Sequence, residues 1–210
     1  MISRRNVWMV LLVLIPLSTS MGFGEKLGIR LRTSRIQSFS GSYNDTTVMS
    51  DYVNPGTSYG VGINHRITDN YSLEVGLDVG WMAVKKAFKS NPSKEPVFLI
   101  PSMYFTNFVH FPLGRVIPFV QLGVSIVPWK FTLDGPTGET AQFEGENFQK
   151  MSFAFHGGLG VEFRITDTFS MYGEGVFTYL FCRDQFFFGK GFTEQTILRL
   201  GGGLLFYPLH

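Results

Sequence analysis

From Tyr71 the chain alternates with period two. Tyr71, Leu73, Val75, Leu77, Val79 and Trp81 fall on one parity, and Ser72, Glu74, Gly76, Asp78 and Gly80 on the other. Successive side chains of a strand point to opposite faces, so the segment predicts a strand with one greasy face and one small or charged face. About ten steps of ~3.3 Å make ~33 Å, which at a tilt of ~40° projects to ~25 Å, the height of the apolar band on a membrane-spanning barrel. Phe169 and Tyr179 repeat the same separation. Tyr and Trp favour the headgroup level, so aromatics at both ends of such a strand suit a pair of girdles. A soluble barrel or sandwich can use the same alternation with its greasy face inward. It has no reason to repeat that distance.

Alternation recurs along the chain. Leu27, Ile29 and Leu31 alternate with Gly28, Arg30 and Arg32; Val120, Leu122, Val124 and Ile126 alternate with Gln121, Gly123 and Ser125. Eight strands are expected, at 26–36, 57–66, 70–84, 97–111, 116–131, 149–164, 168–182 and 194–207. The window from Phe98 to Phe111 is apolar on both parities and leaves its orientation open. Short turns lie at 66–70, 112–115 and 164–168, and long polar loops around 37–56, 85–96, 132–148 and 183–193. Short turns on one side, long loops on the other and an even strand number define an all-β, eight-stranded antiparallel up-and-down transmembrane β-barrel. The run Gly62-x-x-x-Arg66-Ile67-Thr68-Asp69-x-x-Ser72 recurs as Gly160-x-x-x-Arg164-Ile165-Thr166-Asp167-x-x-Ser170, one hairpin type used twice with Asp supplying the turn chemistry.

The first residues read as an export signal. Arg4 and Arg5 precede an apolar run from Val7 to Leu17, and Ser18, Thr19 and Ser20 follow. That run is shorter than the ~20 residues a spanning helix needs. A signal peptide over 1–22 is expected, with cleavage after Ser20, Gly22 or Gly24, followed by a barrel domain over 25–210. Without Arg4 and Arg5, the 18 basic and 16 acidic side chains of the sequence come into balance. That balance argues against a nucleic-acid binder. One cysteine, Cys182, excludes an intrachain disulfide framework and any multi-cysteine metal site. It falls at a strand end, where an unreactive rim residue is expected.

The run Pro112-Leu113-Gly114-Arg115-Val116-Ile117-Pro118-Phe119-Val120-Gln121-Leu122-Gly123 resembles the turn-and-strand motif of small outer-membrane barrels, the OmpA-, OmpX- and OmpW-like superfamily. The Arg-Ile-Thr-Asp turns, followed by strands bearing Glu74 and Glu174, are similar to the periplasmic hairpins of that group. The resemblance spans nearly all of the exported chain and implies location in the outer membrane of a diderm bacterium. Its members usually end in Phe, whereas this chain ends Phe206-Tyr207-Pro208-Leu209-His210.

Some barrels of this size are enzymes. Lipid A deacylases carry a His-x-Ser pair at the outer rim, and none of His65, His110, His156 and His210 is followed by Ser at that spacing. Triads are defined by geometry and not by order, so a non-sequential arrangement stays open. No ligand spacing for a metal and no phosphate loop occurs, and neither enzymatic activity nor a cofactor is expected.

An eight-stranded barrel is just wide enough for its interior to be filled by side chains. By parity Arg30, Arg32 and Arg199 share that interior with Glu74, Asp78, Glu162 and Glu174. A cluster of Arg30, Glu174 and Arg199 is expected near mid-height, with Glu174 as the partner of Arg199. Phe186, Phe187 and Phe188 in the last loop offer an apolar mouth. The expected role is a non-enzymatic surface structural or interaction protein, acting through its loops on extracellular or host ligands and seated in outer-membrane lipids. The alternative implied by the OmpW-like resemblance is a narrow channel for small hydrophobic compounds, lined by Phe98, Ile100, Tyr104 and Phe108. A soluble lipid carrier with its greasy face inward is a third reading.

Overall fold

In the computed structural model, which describes residues 26–143, 145–182 and 192–208, eight long strands form a ring. They are β1 (Lys26–Ser40), β2 (Gly56–Thr68), β3 (Tyr71–Ala83), β4 (Val97–His110), β5 (Val116–Thr132), β8 (Gln149–Arg164), β9 (Phe169–Phe181) and β10 (Gln195–Phe206). A two-residue hairpin, β6 (Gln142–Phe143) and β7 (Glu146–Asn147), sits in the loop between β5 and β8. Each long strand pairs antiparallel with its neighbour in the chain, and β1 closes the ring on β10. Closure leaves no strand edge, which is what lets a sheet stand in a solvent that cannot hydrogen-bond it.

The two parities separate cleanly. Leu27, Ile29 and Leu31 of β1 are exposed, while Arg30, Arg32, Ser34 and Ile36 are buried. On β5 and β8, Leu122 and Leu159 are each 68% exposed. Large apolar side chains circle the wall in this way, far beyond the patch a water-soluble monomer tolerates. The greasy face therefore points out, and the soluble-carrier reading, which needed it inward, is overturned. On β4, Met103 and Val109 take the outer wall, and Phe98, Tyr104 and Phe108 the interior.

Two departures from the expected boundaries matter. β1 runs to Ser40, four residues past the expected end, with Ser38 buried and Phe39 exposed in continued alternation. The polar residues Gln37 and Ser38 hid that continuation. The following loop then makes a single helical turn, Met49–Tyr52, whose Met49 is buried over the barrel end.

One seam of the wall is incomplete. The β4–β5 ladder pairs Leu99 with Lys130 and then Met103 with Ile126, with no pair between. The register is the same on both sides of the gap, which sets Pro101 opposite Pro128. Proline has no N–H to give a ladder, so the gap is written into the sequence.

Leu122→Arg puts charge on the apolar wall and should cost ~2–4 kcal/mol near the bilayer midplane. Reversible unfolding from lipid vesicles measures it. Gly62→Leu should also destabilise the barrel, by ~1–3 kcal/mol, because a Cβ there meets Tyr104 Oη at 2.7 Å and Glu74 Oε1 at 2.9 Å.

Candidate functional site

The interior of the barrel is layered. Its middle is ionic. Arg30 and Arg32 alternate inward along β1, Glu74 and Asp78 along β3, and Glu174 comes from β9. Arg30 Nη2 lies 3.3 Å from Glu174 and Nη1 3.6 Å from Glu74. Arg32 reaches Glu74 at 3.1 Å, Glu174 at 2.9 Å and Asp78 at 3.9 Å. Nearer the short turns, Arg66 pairs with Glu162 at 2.8 Å. Four guanidinium groups, counting Arg199, thus face four carboxylates, and the formal charge of the set is zero.

Neutral groups add donors to Glu74 and Glu174. Tyr104 Oη donates to Glu74 at 2.9 Å, Asn64 Nδ2 donates to Glu74 at 3.2 Å, and Gln121 Nε2 donates to Glu174 at 3.0 Å. Aromatic faces take the cations. The Arg30 guanidinium lies 3.6 Å from the ring centroid of Tyr172 and 4.7 Å from that of Phe108. Such contacts suit a weakly hydrated guanidinium held away from water.

The structure brings Arg30 and Glu174 together, but it gives Arg199 a different partner from the one expected. Arg199 Nη1 pairs with Asp78 across the lumen. The cause is height. In the β9–β10 ladder Glu174 stands beside Gly201, while Arg199 stands beside Val176, two residues nearer the long loops. Sequence reading also placed Arg66 in a turn, whereas it is the buried partner of Glu162.

A serine and a histidine do meet, at the short-turn end. Ser72 Oγ lies 2.8 Å from His110 Nε2, and Arg66 Nη2 lies 3.5 Å from His110 Nδ1. Arginine can only donate, so Nδ1 accepts and the proton of the neutral ring sits on Nε2. In that tautomer Nε2–H donates a hydrogen bond to Ser72 Oγ, which also accepts one from Asn64 Nδ2 at 3.3 Å. A ring nitrogen that carries its own proton has no lone pair with which to take the hydroxyl's. This pair is set against serine catalysis. Thr106 and His156 make a second hydroxyl–imidazole contact at 2.8 Å, inside the ionic layer.

Above the ions, toward the long loops, the interior turns aromatic. Phe98, Trp129, Phe131, Phe148 and Phe192 pack with Met49, Met82, Leu180 and Cys182 into one buried cluster. Phe131 stacks on Phe148 at 4.5 Å and on Phe98 at 4.7 Å between ring centroids. The lone polar edge of Trp129 is satisfied, its Nε1 donating to Ser152 at 2.9 Å. Between the two layers lies a cavity of about 40 Å³ lined by Asp78, Arg199, Ser58, Ser102, Ser125, Ile36 and others. It has room for a few waters.

The loops are stitched into a crown over this cluster. Ser42 N donates to Thr193 Oγ1 at 2.8 Å, Lys85 N to the Tyr52 carbonyl at 2.9 Å, and Gly135 N to the Glu95 carbonyl at 2.7 Å. Cys182, one residue past the end of β9, is buried within the cap, and burial pushes its thiol up to about 12. Phe186, Phe187 and Phe188 lie outside the described residues, while Phe192 of the same loop is a buried member of the cap.

Two measurements test this arrangement. In a double-mutant cycle of unfolding, Arg199→Ala and Asp78→Ala should couple more strongly than Arg199→Ala and Glu174→Ala, and Glu74→Ala alone should cost ~3–5 kcal/mol. Maleimide at neutral pH should leave Cys182 largely unmodified in the folded barrel, since its thiol is buried and held in the protonated form, and should label it on denaturation.

No protein-family model matches the sequence, and no curated protein matches it significantly. Solved structures do match the fold. Neisserial surface protein A is 15% identical, with 88% of this chain and 99% of that one covered at a TM-score of 0.57. The N-terminal β-barrel domain of OprF from Pseudomonas aeruginosa is 13% identical, with 87% and 99% covered at 0.47. The outer membrane enzyme PagL is 12% identical, with 86% and 99% covered at 0.39. At these identities the likeness speaks to architecture and leaves activity to the site itself. The chain has the fold of the small eight-stranded outer-membrane barrels.

Proposed function

We propose that this chain is a closed, non-enzymatic barrel of a bacterial outer membrane that works at the cell surface through its loops. The observation that carries the reading is the doubly sealed lumen, a neutral ionic layer beneath an aromatic cap. Bulk conduction needs a continuous wet path, and the charges here are spent on one another. The bonds between neighbouring loops further support the reading, because a stitched crown presents a fixed surface to an extracellular or host ligand. That surface is mixed in charge. Lys85, Lys86, Lys89 and Lys94 come from the second loop, and Asp134 and Glu139 from the third. Lys89 is already paired with Glu95 at 2.6 Å.

A second reading, passage of small hydrophobic compounds through the wall, rests on the proline seam. An open cleft of about 660 Å³ on the outer wall is lined by Tyr59, Leu77, Pro101, Met103, Pro128 and Met151, among others. Asp78 and Ser102 border both this cleft and the internal cavity. Replacing both prolines with Thr restores the missing N–H donors. If that double variant abolishes uptake of a small apolar probe into cells or vesicles, the second reading displaces the first.

The first reading expects no conductance steps from purified protein in planar bilayers. On intact cells, Asp45→Cys and Glu139→Cys should react with an impermeant maleimide. Asp167→Cys, in a short turn, should react only after the membrane is opened. Ohmic current from the wild type, or labelling of the turn and silence of the loops, contradicts it.

A further inference from the structure

Arg35 is out of place. It lies on the outer parity of β1, exposed, with Leu27, Ile29 and Leu31 below it on the same face. Among the described residues it has neither a hydrogen bond nor an ion pair, although every inward arginine of the barrel has a carboxylate. A charge on a lipid-facing wall needs either water or a counter-ion.

Its height points to the counter-ion. From Leu27 to Arg35 is about eight steps, or ~26 Å along the strand and ~20 Å along the membrane normal at the usual tilt. That reaches the top of the apolar band on the long-loop side. The ladder carries Arg35 beside Thr57, and Thr57 beside Trp81 of the expected girdle. Girdle residues sit at the level of lipid headgroups, where phosphate is the abundant anion. Guanidinium is the side chain whose fork matches phosphate oxygens. Polar neighbours on the same outer parity, Thr33 and Gln37, add hydroxyl and amide groups beside it.

Beside Arg35 the β1–β10 ladder sets the exposed Leu200, and below that pair the wall is bare. The β1–β10 ladder sets Thr33 beside Gly202, and the β9–β10 ladder sets Gly202 beside Gly173 and Leu200 beside Gly175. A Cβ on Gly173 would meet nothing nearer than the Gly201 carbonyl oxygen at 3.8 Å, so this glycine is not there to avoid a clash with the protein. Around it the outer wall carries Leu31, Leu159, Val161 and Leu204. Here, below Arg35 and Leu200, two adjacent glycines leave a shallow hollow of backbone.

We propose that Arg35 and the hollow over Gly202 and Gly173 form a binding site for one acidic lipid of the surrounding leaflet. Its headgroup phosphate engages the guanidinium, and an acyl chain lies along the glycines. The site concerns the lipid-facing wall and stands whether or not the loops act as proposed above. It also gives the barrel a fixed depth and facing in the leaflet.

The test uses the full barrel in nanodiscs of phosphatidylcholine doped with phosphatidylglycerol, with retained lipid read by native mass spectrometry. Wild type should retain one phosphatidylglycerol in preference to phosphatidylcholine. Arg35→Gln should lower that preference by about fivefold to tenfold, the scale of one basic residue at a charged surface. Gly173→Leu, which keeps the charge and fills the hollow, should also weaken retention, and Lys94→Ala in a loop should not. Soluble glycerol phosphate should fail to displace the lipid. Equal retention by wild type and Arg35→Gln overturns the proposal. So does displacement by glycerol phosphate at concentrations comparable to the lipid, which shows an ion site without a lipid role. Retention unaffected by Gly173→Leu removes the hollow and with it the site as proposed.

Discussion

Eight ionised groups share a space only wide enough for side chains, and everything else in the interior follows from their having to neutralise one another. An isolated buried charge costs several kcal/mol, whereas a balanced and hydrogen-bonded set approaches neutrality. The barrel meets that constraint with four arginines and four carboxylates, and with neutral donors added on Glu74 and Glu174. Glycines on the strands make the room. Tyr104 and Glu74 can occupy the axis because Gly62, facing them, has no side chain.

The layering follows from the same constraint. Carboxylates and guanidiniums concentrate in the middle and at the short-turn end, so the long-loop end is free to be apolar, and it fills with aromatic rings. The seal at that end is built from all four loops and not from the strands alone. Met49 comes from the first, Val84 from the second, Phe148 from the third and Phe192 from the fourth. Where the layers meet, Asp78 and Arg199 face a small cavity, and Asp78 Oδ1 and Arg199 Nε have no protein partner there. Water in that cavity would satisfy them.

Strand count, closure and the sidedness of each strand were legible because side-chain parity is a property of consecutive residues. Arg30 and Glu174 were assigned to the interior on that ground alone. Parity gives the face and says nothing of height. The choice of Asp78 by Arg199 depends on the stagger between strands that are far apart in sequence, and no local pattern encodes it. Arg66 was missed for a related reason. The hairpin it begins looks like a turn in sequence, but the ladder continues to Thr68 and keeps Arg66 inward. β4 was ambiguous because both of its faces are apolar, one meeting lipid and the other meeting rings. The cap was invisible because loop residues have no periodicity to betray burial; Phe192 and Cys182 differ from exposed loop residues only in three dimensions. Arg35 was legible as outward by parity, yet its lack of a partner emerged only once the inward arginines had theirs.

The central claim is that the ionic layer is a closed and largely dry part of the protein. Hydrogen–deuterium exchange of arginine side-chain protons, followed by nitrogen-detected magnetic resonance in lipid bilayers, reads it directly. Arg30 and Arg32 should exchange far more slowly than Arg115, in the short turn before β5, and Arg164, the last residue of β8. Uniformly fast exchange across all four would mean that water runs through the barrel, and a sealed lumen could not be maintained.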